Sequence, residues 1–496
     1  MGDSSRLFGI RSPSAKAVAF RLCAVVLGLA PLLLCEAVLC GLGIGRATNY
    51  DDPFVGFSAI HPLFVKNAES GRYEIAPSRL EHFCPDSFAA EKPADEFRIF
   101  VLGGSTVQGR PWGIETSFTT WLELSLNAAE PRRRWEVVNC GGVSYASYRL
   151  VPILQEVLNY QPDLVIFCEG NNEFLEDRTY GHIKTAPSVV STLARQVARL
   201  RTYNVLRASV QPLLKPPLPP SNRPLLGPEV EARLDARGGM EKYHRDPQWQ
   251  RQVAEHFTFN LQRLTDMARA KHVPLMFVTP IANLEWPPFK PEHGEAVTAA
   301  NRERFDLLLA TASEATGSDL NQAIALRNEA LAIDDQHALV HYQLGICYRD
   351  LGWMHEAQES LLRAKELDVC PLRITEPLRK RLLEVARHTA TPLVDAELLI
   401  ASQSRSGFPD SQWMIDHVHP TMAGHELIAQ AIVGKLSELG TVQPDPAWHQ
   451  AYDAARAEHL QRLPFVYFER GRDRLRSEQG WARGLVKREK KPAPSE

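Results

Sequence analysis

The chain carries eight cysteines, and no two of them stand as Cys-x-x-Cys, so no zinc-binding spacing is present. Three of the eight, Cys23, Cys35 and Cys40, fall in an N-terminal apolar segment, and the other five are scattered, which argues against a disulfide framework. Charge of one sign is also lacking. The formal net charge is −3, and nothing in that balance points to nucleic acid. No Gly-Lys-Ser/Thr ending completes a phosphate loop, and no third glycine follows Gly103-Gly104 at dinucleotide-binding spacing. With 496 residues, 44% hydrophobic and 23% charged, the chain is that of a globular protein of two to four structural units.

One long apolar run is present. Leu22 to Ile44 is interrupted only by Glu36, which is about the length that spans a ~30 Å hydrocarbon core. Arg6, Arg11, Lys16 and Arg21 precede it and Arg46 alone follows closely, so the expectation is an uncleaved single-pass anchor with residues 1–21 in the cytoplasm and the remainder exported.

Beyond the anchor, 45–95 has little periodicity and reads as a linker and lead-in. Strand signals then alternate with helical ones. Phe97–Leu102, Trp135–Asn139, Asp163–Cys168, Leu275–Thr279 and Pro392–Asp395 are apolar enough for a buried parallel sheet. Helical spacing recurs over 147–160, 249–271 and 423–436, and residues 212–228 are a proline-rich surface excursion. Alternation of this kind predicts an α/β fold with helices on both faces of the sheet.

Residues 304–370 break the pattern. In the run from Ala338 to Asp368, the positions Leu344, Gly345, Tyr348, Gly352, Ala357, Leu361 and Ala364 keep tetratricopeptide spacing. Ala323 and Ala330 stand 34 residues before Ala357 and Ala364 and mark the second half of a preceding repeat. This stretch resembles a small tetratricopeptide (TPR) insertion that must lean on its host, the alternative being an unrelated helical hairpin.

Four blocks carry candidate chemistry. Gly103-Gly104-Ser105-Thr106 ends the first strand, where Ser105 is either a helix cap or an exposed nucleophile at the carboxyl edge of the sheet. Asn139-Cys140-Gly141-Gly142 and Gly170-Asn171-Asn172-Glu173 follow the second and third strands, where a backbone N–H or an asparagine side chain could face an oxyanion or merely close a turn. Asp416 and His419 stand three apart in Asp-His-Val-His-Pro, a spacing that lets the carboxylate orient the imidazole from one loop; His417 and His425 are the local rivals.

Together the blocks resemble the SGNH, or GDSL-like, hydrolase superfamily in residue type and order, over roughly 96–300 and 371–440. The resemblance implies a three-layer, flavodoxin-like α/β domain in two parts, 96–303 and 371–441, followed by a polar extension over 442–496. It further implies Ser105 as nucleophile, Asp416 and His419 as the acid–base pair, and Ser105, Gly142 and Asn172 as oxyanion donors. Gly104 stands where many members have aspartate, and the second block is displaced so that Ser144 aligns with the usual oxyanion glycine; Gly142 is taken as the donor here. The expected activity is ester hydrolysis, with acetyl or another short acyl group removed from an exported substrate such as a carbohydrate, without metal or cofactor. Two rivals remain: an O-acetyltransferase-type partner in polysaccharide modification, and a membrane-tethered protein with a vestigial hydrolase domain that binds a protein partner through its tetratricopeptide repeats. Loops over 178–250 and the insertion are where substrate choice is expected.

Overall fold

A computed structural model describes residues 30–42, 52, 54–178, 200–210 and 224–482. These fall into two compact units, one drawn from 1–51 and 181–223, the other from 52–180 and 224–496. In the first unit, residues 30–41 form a helix whose Glu36 carboxylate accepts from the N–H of Arg201 (2.7 Å) and Thr202 (2.9 Å), at the start of helix Arg201–Val210. Residues 22–29 and 43–44 of the expected anchor lie outside the described residues. No helix among the described residues is long and apolar enough to cross a membrane.

The second unit opens with residues read above as a linker, and here the sequence reading is corrected. β1 (Gly56–Phe57) is followed by a three-stranded antiparallel sheet of β2 (Phe64–Asn67), β3 (Arg72–Ile75) and β4 (Ser87–Ala89). These strands are short and mostly polar, so they show no alternation in sequence. What holds them is a few aromatic side chains: Phe64 and Phe88 meet edge-on with ring centroids 5.0 Å apart, and Phe88 continues onto Phe100 at 5.2 Å.

The central sheet is parallel. β5 (Glu96–Gly103) leads into α1 (Ser105–Gln108) and α2 (Phe118–Ala129). β6 (Arg134–Gly141) leads into α3 (Ser147–Val157), and β7 (Leu164–Cys168) ends at the Gly170-Asn171-Asn172 loop. β8 (Leu225–Leu226) pairs with β1, so part of the proline-rich excursion is strand; residues 212–223 lie outside the described residues. α4 (Pro247–Ala270) and β9 (Leu275–Val278) follow. Then come four helices, α5 (Ala299–Ala315), α6 (Leu320–Ile333), α7 (Ala338–Asp350) and α8 (Met354–Leu367), packed as two successive hairpins. α9 (Glu376–Thr389), β10 (Leu393–Val394), α10 (Ala396–Gln403) and α11 (Met422–Glu438) return to the sheet, whose order is β10-β9-β7-β5-β6.

Alternation along β5 divides the core. Ile99 and Val101 face Trp121, Leu122, Ile428 and Ile432 of α2 and α11, whereas α3 and α4 pack on the opposite face of the sheet. The result is a three-layer α/β unit. The helical pairs lean on it, with Ala357 and Leu361 of α8 buried against Leu284 and Phe408. The polar extension folds back as α12 (Trp448–Arg462) and α13 (Phe465–Ala482), while the Lys- and Arg-rich end after 482 lies outside the described residues.

Candidate active site

Parallel packing of β5 between β6 and β7 brings three loop blocks to one edge of the sheet, because the carboxyl ends of parallel strands all point the same way. Ser105 is the first residue of α1 and follows Gly104, which is extended at φ −89° and ψ −151°. α1 is tied to the Asp-His loop by Thr106, whose hydroxyl donates to the Val418 carbonyl at 3.2 Å.

That loop is built for its carboxylate. Asp416 Oδ1 accepts from the N–H of Val418 (2.9 Å) and of His419 (2.8 Å), and its Oδ2 lies 2.6 Å from His419 Nδ1. An ionised carboxylate only accepts, so Nδ1 carries the proton and Nε2 is left as an acceptor. Ser105 Oγ stands 2.7 Å from Nε2 and donates to it. The three residues singled out by type and spacing thus form one continuous hydrogen-bonded line, with Asp416 only 1% exposed and His419 5%.

The electrostatics follow from this geometry. Burial works against the Asp416 charge, but the two neighbouring histidines and the backbone donors outweigh it and hold the carboxyl well below the usual range. Burial likewise opposes charge on His419, and the Asp416 carboxylate overcomes it, so this imidazole is raised above its ordinary value. The two rivals go the other way. Burial lowers His417 to about 4 and His425 to about 3. His425 Nδ1 is occupied as an acceptor from the Phe118 N–H at 3.2 Å, and His417 packs against Phe289 with ring centroids 5.0 Å apart.

The donors differ from expectation at one place. Ser105 N–H opens a helix and makes no backbone hydrogen bond among the described residues. Asn172 Nδ2 donates one hydrogen to the Tyr145 carbonyl at 3.1 Å, and lies beside Gly104 with its second hydrogen uncommitted. Gly142, however, does not offer its N–H: that group donates to the Gly103 carbonyl at 2.9 Å and extends the β5–β6 ladder by one residue. Gly141 N–H is likewise taken, by Asn139 Oδ1 at 2.9 Å. Val143 N–H goes to His82 and Tyr145 N–H to Gly142, which leaves Ser144, a non-glycine residue held at φ 64°, with an N–H unpaired among the described residues. A preorganised backbone N–H left without a partner is a donor that an oxyanion site can use.

Three further residues had no motif to announce them. Asn283, after β9, grips the Asp-His loop: its side chain donates to the Asp416 carbonyl at 3.0 Å and its N–H to the His417 carbonyl at 3.0 Å. Glu169 lies under the nucleophile turn, where its Oε1 accepts from the N–H of Gly170 and Asn172, both at 2.9 Å, and burial pushes its carboxyl up to about 8. Glu478 arrives from α13. Its carboxylate, His419 and Asp416 place one potential ligand atom each within 4.8 Å of one another. Both ring nitrogens of His419 are already engaged, by Asp416 and Ser105, so no imidazole lone pair is left to hold a metal in this arrangement.

Comparison with known proteins adds the following. No family model and no curated protein matches the chain. Among solved structures, it is similar to a lipase/acylhydrolase from Enterococcus faecalis, at 12% identity over 71% of this chain and 100% of that one, with a TM-score of 0.32. It is also similar to an acetylxylan esterase from Geobacillus stearothermophilus, at 13% identity over 68% and 94% with a TM-score of 0.31. A GDSL-like lipase from Bacteroides thetaiotaomicron shows 11% identity over 71% and 93%, with a TM-score of 0.30. At these scores the chemistry rests on the geometry of the site.

Proposed function

We propose that the protein is a serine ester hydrolase of the SGNH type, acting on a short acyl ester, acetyl first among them, carried by an exported substrate such as a glycan. The observation that carries this reading is the unbroken line Ser105 Oγ–His419 Nε2 and His419 Nδ1–Asp416 Oδ2, at 2.7 and 2.6 Å. Ser105 attacks the ester carbonyl as His419 takes its proton, and the imidazolium is held by Asp416. The oxyanion that forms is received by the N–H groups of Ser105 and Ser144 and by Asn172 Nδ2. His419 returns its proton to the leaving alcohol, then draws one from the water that attacks the acyl-enzyme and gives it to Ser105 Oγ as the carboxylic acid departs.

The preference for a short acyl group is supported by the polar wall beside His419, where Arg110 donates to Glu478 at 3.0 Å. Such a wall suits a small acyl group or a hydroxyl-rich alcohol better than a long hydrocarbon chain. Membrane attachment through 22–44 is part of the same proposal, with the catalytic unit on the exported side. It is supported by the basic residues ahead of that segment and by the exposed Leu32, Leu33 and Leu34 of helix 30–41. The four helices over 299–367 are taken as a TPR-like pair and a candidate surface for a protein partner.

The test is kcat/KM for 4-nitrophenyl acetate, butyrate and octanoate, together with acetate release from an acetylated glycan in the presence of a second glycan acceptor. Fastest turnover of acetate with free acetate as product supports the reading. A preference for octanoate contradicts the short-acyl assignment, and acetyl transfer to the acceptor in place of water converts the hydrolase into a transferase.

A further inference from the structure

α13 is the C-terminal element among the described residues, and it is fastened at several points along its length. An added Cβ at Gly471 would stand 2.0 Å from the Trp112 ring, so the helix lies directly on that indole. Tyr467 shares a hydrogen bond with Thr116 at 2.8 Å, Arg474 donates to the Trp112 carbonyl, and Trp481 Nε1 donates to Asp235 at 2.9 Å. These contacts fix both the rotation and the register of the helix, and they aim Glu478 at the Asp-His pair.

Glu478 is held from one side only. Its Oε1 accepts from Arg110 Nη1 at 3.0 Å, while its Oε2 is buried with no hydrogen-bond partner among the described residues. Arg110 is positioned in turn by Gln108, to which its Nε donates at 2.7 Å. A buried carboxylate oxygen without a donor is costly, and a cation formed nearby relieves that cost. The ring of His419 is where such a cation forms.

We propose that Glu478 is a positioning residue of this site, acting through His419: its carboxylate stabilises the imidazolium that exists while the Ser105 proton resides on Nε2, and Arg110 fixes and tempers that charge. The inference rests on the serine-hydrolase reading above. Glu478 exchanges no proton; the proton passes from Ser105 to His419 and on to the leaving alcohol. The other groups that face this ring are Asp416 on its own loop, His417 with ring centroids 6.2 Å apart, Arg110 from the turn after α1, and His425 at the start of α11. His417 and His425 are kept neutral by burial, so Glu478 and Arg110 are the opposed charges added to the Asp416–His419 pair.

The experiment is the pH dependence of kcat/KM for 4-nitrophenyl acetate with the full-length protein and its Glu478→Gln, Glu478→Asp and Arg110→Gln variants. It is paired with a 13C-histidine titration in which the His419 signal is assigned by its loss in His419→Gln. Glu478→Gln should move the acidic limb and the His419 titration to lower pH by about 0.5–1 unit, since it removes a nearby negative charge that Arg110 partly offsets. Glu478→Asp should fall between, and Arg110→Gln should move both to higher pH. Limbs and titrations that coincide with wild type in folded Glu478 and Arg110 variants overturn the inference, as does a Glu478→Gln shift upward. An inactive wild type whose His419 titration still responds to Glu478→Gln would instead refute the hydrolase reading while leaving the coupling intact.

Discussion

Gly104→Ala is the substitution whose effect the geometry dictates most closely. A Cβ at this position would stand 2.2 Å from Glu169 Oε2 and 2.5 Å from Asn172 Nδ2, where ordinary contact begins near 3.4 Å. Asn172 would have to retreat by about 0.9 Å and Glu169 by about 1.2 Å, against the hold of two backbone N–H groups on Glu169 Oε1 and of the Tyr145 carbonyl on Asn172 Nδ2. A donor displaced by nearly 1 Å is lost to the oxyanion, and such a loss costs about 10²–10³ in kcat, or roughly 2.7–4 kcal/mol of transition-state stabilisation. The Ser105–His419–Asp416 line does not pass through this contact and should survive. The assay is kcat and KM for 4-nitrophenyl acetate on Gly104→Ala beside Asn172→Ala, with thermal unfolding as a check of folding. The account predicts a fall of about a hundredfold, mostly in kcat, for both. A folded Gly104→Ala protein with wild-type kcat would refute the placement of Asn172 as a donor. Gly104 stands where the family resembled by the sequence commonly carries aspartate, and here the carboxyl of Glu169 fills the space that side chain would take.

Three more outcomes follow. Glu169, Glu123 and Asp86 are buried carboxyls that burial pushes up to about 8, 7 and 6. Each binds its proton more tightly folded than unfolded, so this stability contribution is complete below the unfolded values near 4 and is lost as pH rises toward about 8. Glu169→Gln should therefore lose less melting temperature than wild type between about pH 6 and 8.5, and an equal loss in both would contradict the assignment. His419→Gln should lower kcat by about 10³ or more, whereas His417→Gln, whose ring packs on Phe289, should cost less than about tenfold; comparable losses would mean the wrong histidine is assigned as base. Asn283→Ala, which removes the side-chain donor to the Asp416 carbonyl while the backbone N–H to the His417 carbonyl stays, should cost activity more than stability, read as kcat against melting temperature, and a wild-type kcat would dismiss the side-chain clamp.

The parallel sheet was legible because its strands are buried on both faces and so read as unbroken apolar runs, as in Ile99 to Leu102. The sheet of β2, β3 and β4 was not, since its strands are short and carry polar residues such as Lys66, Asn67 and Arg72, with only scattered aromatics to seat them. Candidate site residues that come with local partners in sequence, Asp416 and His419 above all, could be paired by spacing. Which N–H of the second block is free could not be read that way. It depends on Gly142 adding one more rung to the ladder and on Ser144 adopting a left-handed conformation, and both are set by the neighbouring strand. Glu169, Asn283 and Glu478 were hidden for a simpler reason. Each reaches the site by tertiary packing, Glu478 from 368 residues beyond its partner Arg110, and no local pattern distinguishes such a glutamate from a solvated one.

The central claim is that Ser105 is a nucleophile activated by His419. Its most direct test is to treat the full-length protein with a fluorophosphonate probe and locate the adduct by peptide mass spectrometry in wild type, Ser105→Ala and His419→Gln. The account predicts a single adduct on Ser105 in wild type, none in Ser105→Ala, and labelling slowed by orders of magnitude in His419→Gln. A folded wild-type protein that takes no label, or takes it undiminished when His419 is replaced, would contradict it.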